Sequence, residues 1–121
     1  MDNSKLLQPS GIGYITFYYI KKTFFFIVSV KQGSPVDAEL HLLAQKLALD
    51  WKRVGRRLKI DEAKITKFHE GIPELDEKAY QMLLHWKQRD GLTATYQVLS
   101  DALCHKLVNR RDLAEEFCYA D

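Results

Sequence analysis

Beyond residue 35 the chain repeats one pattern, in which apolar side chains recur three and four positions apart within short segments. Leu40, Leu43 and Leu47 follow this spacing, which places them on one face of a helix. Stop signals such as Gly71-Ile72-Pro73 and Asp90-Gly91 interrupt the pattern. Because such short segments are not stable as isolated helices, the pattern predicts a bundle in which they cover one another's apolar faces.

The pattern predicts six helices, which begin near residues 34, 51, 61, 74, 93 and 110 and are joined by brief links. Links of this length favour antiparallel neighbours, so the expected fold is an all-α, six-helix antiparallel bundle. The two tryptophans are expected in its core, because a large indole buries area that a small domain needs. The predicted core residues are Leu43, Leu47, Trp51, Val54, Leu58, Ile65, Phe68, Leu83, Trp86, Leu99, Leu103, Leu113 and Phe117.

The first 33 residues differ from this pattern, because residues 14–30 are mostly aromatic and β-branched. The turn-favouring sequence Gly33-Ser34-Pro35 predicts a boundary between an extension, residues 1–33, and the bundle, residues 34–121. We interpret the extension as weakly ordered and β-prone, able to pair locally. A membrane anchor formed by residues 12–30 is an alternative, although Lys21-Lys22 interrupts its apolar run.

Charge and cysteine content restrict the class of protein. The formal net charge is only +2, so no global field favours nucleic acid or a membrane surface. Cys104 and Cys118 are too few for a disulfide framework, and they indicate reduced thiols in the cytoplasm.

No pattern of catalytic or metal-binding residues is recognisable in the sequence. The four histidines have no i, i+4 pair, and a glycine-rich phosphate loop and a nucleophile elbow are both missing. The sequence therefore predicts that the protein is not an enzyme and has no metal site, no cofactor and no small-molecule substrate.

Charged residues of opposite sign gather in two separate segments. The basic cluster falls on the predicted second helix and contains Lys52, Arg53, Arg56, Arg57 and Lys59. The acidic cluster surrounds the start of the fourth helix and contains Glu70, Glu74, Asp76 and Glu77. A solvated helix face would explain the basic cluster equally simply. Opposite clusters on one small module also permit head-to-tail contact between proteins, and this is the functional prediction.

Three motifs resemble those of death domains. Residues 49–58 (LDWKRVGRRL) and 60–65 (IDEAKI) are similar to the family's second and third helices, where DW..LAR.L leads into I..I. Residues 85–96 (HWKQRDGLTATY) resemble the end of its fourth helix, which has a W…..G..AT signature. Residues 109–115 (NRRDLAE) resemble the closing helix of Fas-type receptors and their adaptors. Fas-type receptors, death-domain adaptors and ankyrins share parts of these motifs, so the subfamily stays open.

The resemblance covers about residues 36–119. It implies a bundle that binds other death-domain proteins, or further copies of itself, through homotypic contacts of the second, third and fourth helices. It also implies that the protein acts as an adaptor or scaffold in apoptotic or inflammatory signal transduction, and that both tryptophans are structural.

Two alternative functions stay open at this point. The basic segment 52–59 could face the phosphates of a nucleic acid, although the near-balanced charge disfavours this function. Residues 12–30 could instead tether the bundle to a membrane.

Overall fold

The computed structural model describes residues 29–120, which form an all-α fold and thereby confirm the predicted class. Two 3-10 turns occur as well, one at Ala48–Asp50 and one at Gly91–Thr93. The α-helices are α1 (Asp37–Leu47), α2 (Trp51–Arg57), α3 (Glu62–Gly71), α4 (Leu75–Asp90), α5 (Tyr96–Cys104) and α6 (Arg111–Phe117).

Two helices begin later than the sequence predicts, because local hydrogen bonds set their first turns. At the start of α1, the Glu39 carboxylate accepts a hydrogen bond from the Val36 N–H at 3.0 Å, so the helix begins at residue 37 and not near 34. Before α5 the chain first completes the turn Gly91–Thr93. The Thr95 hydroxyl then accepts a hydrogen bond from the Val98 N–H at 3.2 Å, which caps a helix that begins at residue 96 and not near 93.

The longest helix, α4, is central to the bundle. It packs against α1, α2 and α3, while α6 packs against α5 and α1. Ala79, Met82, Leu83 and Trp86 on α4 are fully buried, and they recur at the three- and four-residue spacing of one helix face. Helices α2 and α3 therefore both pack against α4. The basic cluster lies on α2 and the turn after it, and the acidic cluster lies where α3 is followed by α4.

All of the predicted core residues except Phe68 are buried. The prediction for Phe68 is wrong, because its ring is only partly buried at the rim of the core. It faces the His85 ring edge-on at a centroid distance of 6.1 Å, and the Lys64 ammonium lies 5.5 Å from its centroid. Only one side of α3 contacts the bundle, and Ile65 is the residue of this helix that is fully covered. Buried residues that lie in the links or turns and were not predicted are Pro35, Ile60, Ala94, Val108 and Cys118.

Residues 29–33 pair with the end of the chain. Val30 and Tyr119 form an antiparallel bridge, the Lys31 N–H donates to the Cys118 carbonyl, and the Ala120 N–H donates to the Ser29 carbonyl. Both of these hydrogen bonds measure 2.8 Å. The remainder of the predicted extension, and with it most of the proposed anchor at 12–30, lies outside the described residues. Within residues 29–120, no helix combines the length and the apolar character needed to cross a bilayer.

The Glu39 carboxylate joins this strand-like segment to the bundle. It accepts hydrogen bonds from Lys31 Nζ at 2.9 Å and from the Tyr96 hydroxyl at 2.6 Å. Burial tends to raise the pKa of Glu39, but the hydrogen bonds from Tyr96, Val36 and Lys31 outweigh it, and its pKa lies below the ordinary value. Burial, assisted by the bond to Glu39, raises the pKa of Tyr96 to about 12.

Candidate protein-interaction surfaces

The basic surface comprises Lys52, Arg53, Arg56, Arg57 and Lys59, on α2 and the turn that follows it. Trp51, Val54 and Leu58 are buried on the other side of this segment, which turns the intervening charged residues outward.

Two of the five cations in the basic surface are neutralised within the chain. Arg56 donates two hydrogen bonds to the Glu62 carboxylate, at 2.6 and 3.3 Å, and Arg53 Nη1 lies 3.1 Å from Asp50 Oδ1. The hydrogen bonds from Arg56 lower the pKa of Glu62 below its ordinary value. The sequence analysis did not predict the Arg56–Glu62 pair, because Glu62 belongs to the next helix. Its position six residues after Arg56, across a short link, was the signal that could have indicated this contact.

The other three cations have no such partner. Lys52, Arg57 and Lys59 form no ion pair with any carboxylate in the part of the chain that the structure describes. Lys52 Nζ lies 6.0 Å from the centroid of the Trp51 ring, and Arg57 Nη1 lies 3.5 Å from His105 Nε2. The positive charge that is available to a partner is therefore carried by these three residues, of which Lys52 also acts on Glu62 and helps to lower its pKa.

Arg89 shapes the end of the basic surface and was not predicted. From α4 it donates hydrogen bonds to the Leu58 and Lys59 carbonyls, both at 2.7 Å, and so caps the C-terminal end of α2. Lys59 has a φ of +67°, in the left-handed region that reverses the chain after a helix. Arg89 also pairs with Asp90 at 2.7 Å, so it stabilises the turn without adding free positive charge.

A second unpredicted arginine anchors the basic surface to the last helix. Arg110 Nη1 lies 2.9 Å from Asp50 Oδ2, and Arg110 Nε lies 3.0 Å from Asp112 Oδ1. Hydrogen bonds to Asp112 and Asp50 raise the pKa of Arg110 above its ordinary value. Since Asp50 also binds Arg53, this carboxylate connects the start of α2 to the start of α6.

The acidic surface comprises Glu70, Glu74, Asp76 and Glu77, at the corner where α3 gives way to α4. The Asp76 carboxylate accepts a hydrogen bond from the Glu77 N–H at 3.0 Å, and Glu77 Oε2 accepts one from Gln81 at 2.8 Å. Across residues 29–120, none of the four carboxylates enters an ion pair. The four acidic residues therefore carry negative charge that no ion pair neutralises in this part of the chain, while Lys78, which donates a hydrogen bond to the His69 carbonyl, places one positive charge beside them.

The histidines lie in different environments. His41 stacks on the Tyr80 ring at 3.8 Å, His85 faces Phe68, and His105 lies beside Arg57. Over the described range, no group of three or more His, Cys, Asp or Glu side chains is placed to hold a metal ion.

A comparison with protein families gives one assignment for this bundle. The family model described as "Death domain" matches residues 37–119, which run from the first residue of α1 to just beyond α6. Death domains are protein–protein interaction modules of death-fold signalling, and they bind other death-fold proteins through homotypic contacts. The match spans most of the chain and agrees with the all-α fold, so this chain belongs to the death-domain family.

Proposed function

We propose that the chain is a cytoplasmic adaptor or scaffold of apoptotic or inflammatory signalling, which works by docking its basic surface on the acidic surface of another death domain. The observation that carries the proposal is the set of charges left unpaired inside the chain. Lys52, Arg57 and Lys59 have no carboxylate partner within residues 29–120, and the acidic corner has no cationic partner there either. Each surface therefore has charge available for a second protein.

Several such contacts are needed for a stable complex. One exposed ion pair contributes about 0–1 kcal/mol, so no single pair can hold two domains together. Arg53 and Arg56 must also give up internal carboxylates before they can bind a partner, which reduces what they contribute. Repetition of the contact in an oligomer compensates for a weak individual interface, because avidity multiplies modest affinities.

Self-association is part of the proposal, because one chain carries both surfaces. A contact between different surfaces on identical molecules is heterologous, and it extends into a ring or a helical filament. The attraction depends on exposed charges and should weaken as salt concentration rises.

We place the protein in the cytoplasm and assign it no catalytic role. Cys104 and Cys118 are both free, which suits a reducing compartment. The charged side chains of the basic and acidic surfaces support binding more than catalysis, because opposite charges on a surface can attract another protein.

The proposal is tested with the full chain carrying Arg56→Glu and Arg57→Glu together. The wild-type bait is expected to capture death-domain proteins from a cell extract, identified by mass spectrometry, and the double variant should lose them. The control carries the same charge change at exposed sites outside the basic surface, Lys67→Glu with Arg111→Glu, and should bind like the wild type. Circular dichroism checks that each variant is folded. If a folded double variant captured death-domain proteins as the wild type does, the proposed role of the basic surface would be wrong.

The two alternative functions are tested with the same protein. Binding to random-sequence DNA with a steep salt dependence would support the nucleic-acid function. Flotation with liposomes that is lost on deletion of residues 1–28 would support the membrane tether, which we treat as the second candidate for the N-terminal segment.

A further inference from the structure

A groove of about 520 Å³ opens between the end of α2, the end of α4 and α5. Its lining includes the apolar side chains of Leu58, Val98 and Ala102 and the polar side chains of Arg57, Lys59 and His105. Two further arginines line it, but Arg56 is bound to Glu62, and Arg89 is bound to two carbonyls and to Asp90. The donors left over in the groove therefore belong to Arg57, Lys59 and His105.

The hydrogen bonds around His105 decide which of its ring nitrogens carries hydrogen. The Leu107 N–H donates to His105 Nδ1 at 3.0 Å, so Nδ1 is an acceptor. In a neutral imidazole with Nδ1 as the acceptor, the hydrogen is on Nε2. His105 Nε2 is thus a donor, and it lies 3.5 Å from Arg57 Nη1, which is a donor in every state. Two donors that face each other in this way cannot satisfy one another.

An acceptor placed beside both nitrogens would satisfy both donors, and a negative charge on it would also compensate Arg57. We propose that the Arg57–His105 pair is an oxyanion site whose ligand is a phosphate group. A tetrahedral phosphate offers oxygens in several directions and can meet Arg57, His105 and Lys59 together, whereas a carboxylate offers two oxygens in one plane. This site goes beyond the proposed function, because it binds a small anion without a second death domain.

Two carboxylates limit the kind of phosphate that fits. Asp101 lines the same groove, held by Gln97 Nε2 at 2.9 Å, and Asp90 lines it as well, held by Arg89. Asp101 lies one helical turn before His105, so its negative charge acts on any anion at the site, and the two carboxylates together oppose an extended polyanion such as a nucleic-acid backbone more than a single phosphate. The groove is much larger than a single phosphate group, so it has room for the residues that flank a phosphorylated side chain.

The test is a titration of the ¹⁵N-labelled full chain, followed by NMR at the Arg57 side chain and at the Leu107 amide. Inorganic phosphate should produce saturable shifts of both signals, and acetate at equal ionic strength should not. Absence of saturable shifts would overturn the site. Equal binding of acetate would overturn phosphate as its ligand. Partner capture is not a readout here, so failure of this titration leaves the homotypic function untouched.

Two variants of His105 separate its role in binding from its role in the turn. The amide oxygen of His105→Asn can replace Nδ1 as the acceptor for the Leu107 N–H, but this side chain lacks a donor at the Nε2 position. His105→Gln can present an amide donor near the Nε2 position. We expect at least about tenfold weaker phosphate binding for the folded Asn variant, the size of effect for one lost charge-assisted hydrogen bond, and much smaller loss for the Gln variant. Unchanged affinity in the Asn variant would overturn the assignment of His105.

The source of the phosphate is identified with a second titration. A phosphoserine peptide is compared with inorganic phosphate and with the same peptide lacking the phosphate. Tighter binding of the phosphopeptide than of inorganic phosphate would support a phosphorylated protein segment as the ligand, and equal binding would support a free phosphate compound. Equal affinity for the unphosphorylated peptide would contradict the phosphate site.

Discussion

Arg56 and Arg57 are neighbours in the sequence, but their guanidinium groups have different surroundings. Arg56 is held by two hydrogen bonds to Glu62, whereas Arg57 Nη1 has one polar contact within residues 29–120, to His105 Nε2 at 3.5 Å. A partner must compete with Glu62 for Arg56, whereas it meets Arg57 without a competing carboxylate from residues 29–120. The two arginines of the basic surface should therefore contribute unequally to binding.

Single substitutions test this inequality. Arg57→Gln should weaken binding of a captured death-domain partner by about fivefold, the equivalent of one ion pair near 1 kcal/mol. Arg56→Gln should have a smaller effect, because Arg56 must give up its two hydrogen bonds to Glu62 before it can bind a partner and so contributes less in the wild type. Isothermal titration calorimetry at fixed salt concentration gives both dissociation constants. A larger loss for Arg56→Gln would show that the Arg56–Glu62 pair opens on binding.

At the scale of the helix, α2 contains a glycine where the death-domain motif DW..LAR.L has alanine. A methyl group on Gly55 would lie 3.2 Å from Met82 Cγ and 3.5 Å from Ile65 Cδ1. Gly55→Ala removes a helix-propensity cost of about 1 kcal/mol, and the unbranched Met82 side chain can shift by a few tenths of an ångström. We expect Gly55→Ala to raise the free energy of unfolding by about 0.5 kcal/mol.

Gly55→Val is the matched control for that substitution. Its branched side chain overfills the same space and should lower the free energy of unfolding by about 1–3 kcal/mol. Urea denaturation measures both variants. Destabilisation by alanine as well would mean that α2, α3 and α4 pack too rigidly to admit one methyl group.

His85 makes the contact between α3 and α4 sensitive to pH. Burial, together with the nearby cations Lys64 and Arg89, lowers the pKa of His85 below its ordinary value of 6.5, and Asp61 and Asp90 oppose this shift only in part. Below about pH 6.5 the unfolded chain therefore binds a proton at this residue more readily than the native chain does. The contribution of His85 to stability is intact above that pH and is lost as the pH falls.

His85→Gln removes this titration. Between pH 7 and pH 5 the wild type should lose free energy of unfolding more steeply than His85→Gln does, and the two curves should run parallel above pH 7. Denaturant titrations at several pH values give the slopes. Equal slopes below pH 6.5 would show that the His85 proton does not distinguish the native from the unfolded chain.

For the whole molecule, the proposed head-to-tail contact predicts how surface variants should behave when they are mixed. Lys52→Gln with Arg57→Gln neutralises the basic surface, and Glu74→Gln with Asp76→Asn neutralises the acidic one. Asparagine at position 76 retains an oxygen that can accept the hydrogen bond from the Glu77 N–H, which protects the start of α4. Each double variant alone should stay monomeric at concentrations at which the wild type assembles.

A mixture of the two double variants should form 1:1 dimers and nothing larger, because one functional contact remains and neither end can extend. Sedimentation velocity measures the species present. The wild-type assembly should also shrink as salt concentration rises. A mixture that stays monomeric while the wild type assembles would show that these two surfaces are not each other's partners.

The fold class, the approximate positions of the helices and twelve of the twenty-three buried apolar residues within 29–120 could be predicted from the sequence. These features follow from a local signal, because apolar residues spaced three and four apart define both a helix and its buried face. Phe68 shows the limit of that signal. Its spacing matched an apolar face, but only the packing of α3 against its neighbours could decide that this ring lies at the rim.

Which charges are available to a partner depends on the packing of the helices. Glu62 neutralises Arg56 from the next helix, Arg110 reaches Asp50 from sixty residues away, and His105 is brought beside Arg57 from forty-eight residues away. A basic cluster in the sequence specifies the number of charges, whereas their pairing depends on which side chains the packed helices bring within hydrogen-bond distance. Helical periodicity is local and could be read directly, but electrostatic pairing is a property of the assembled bundle.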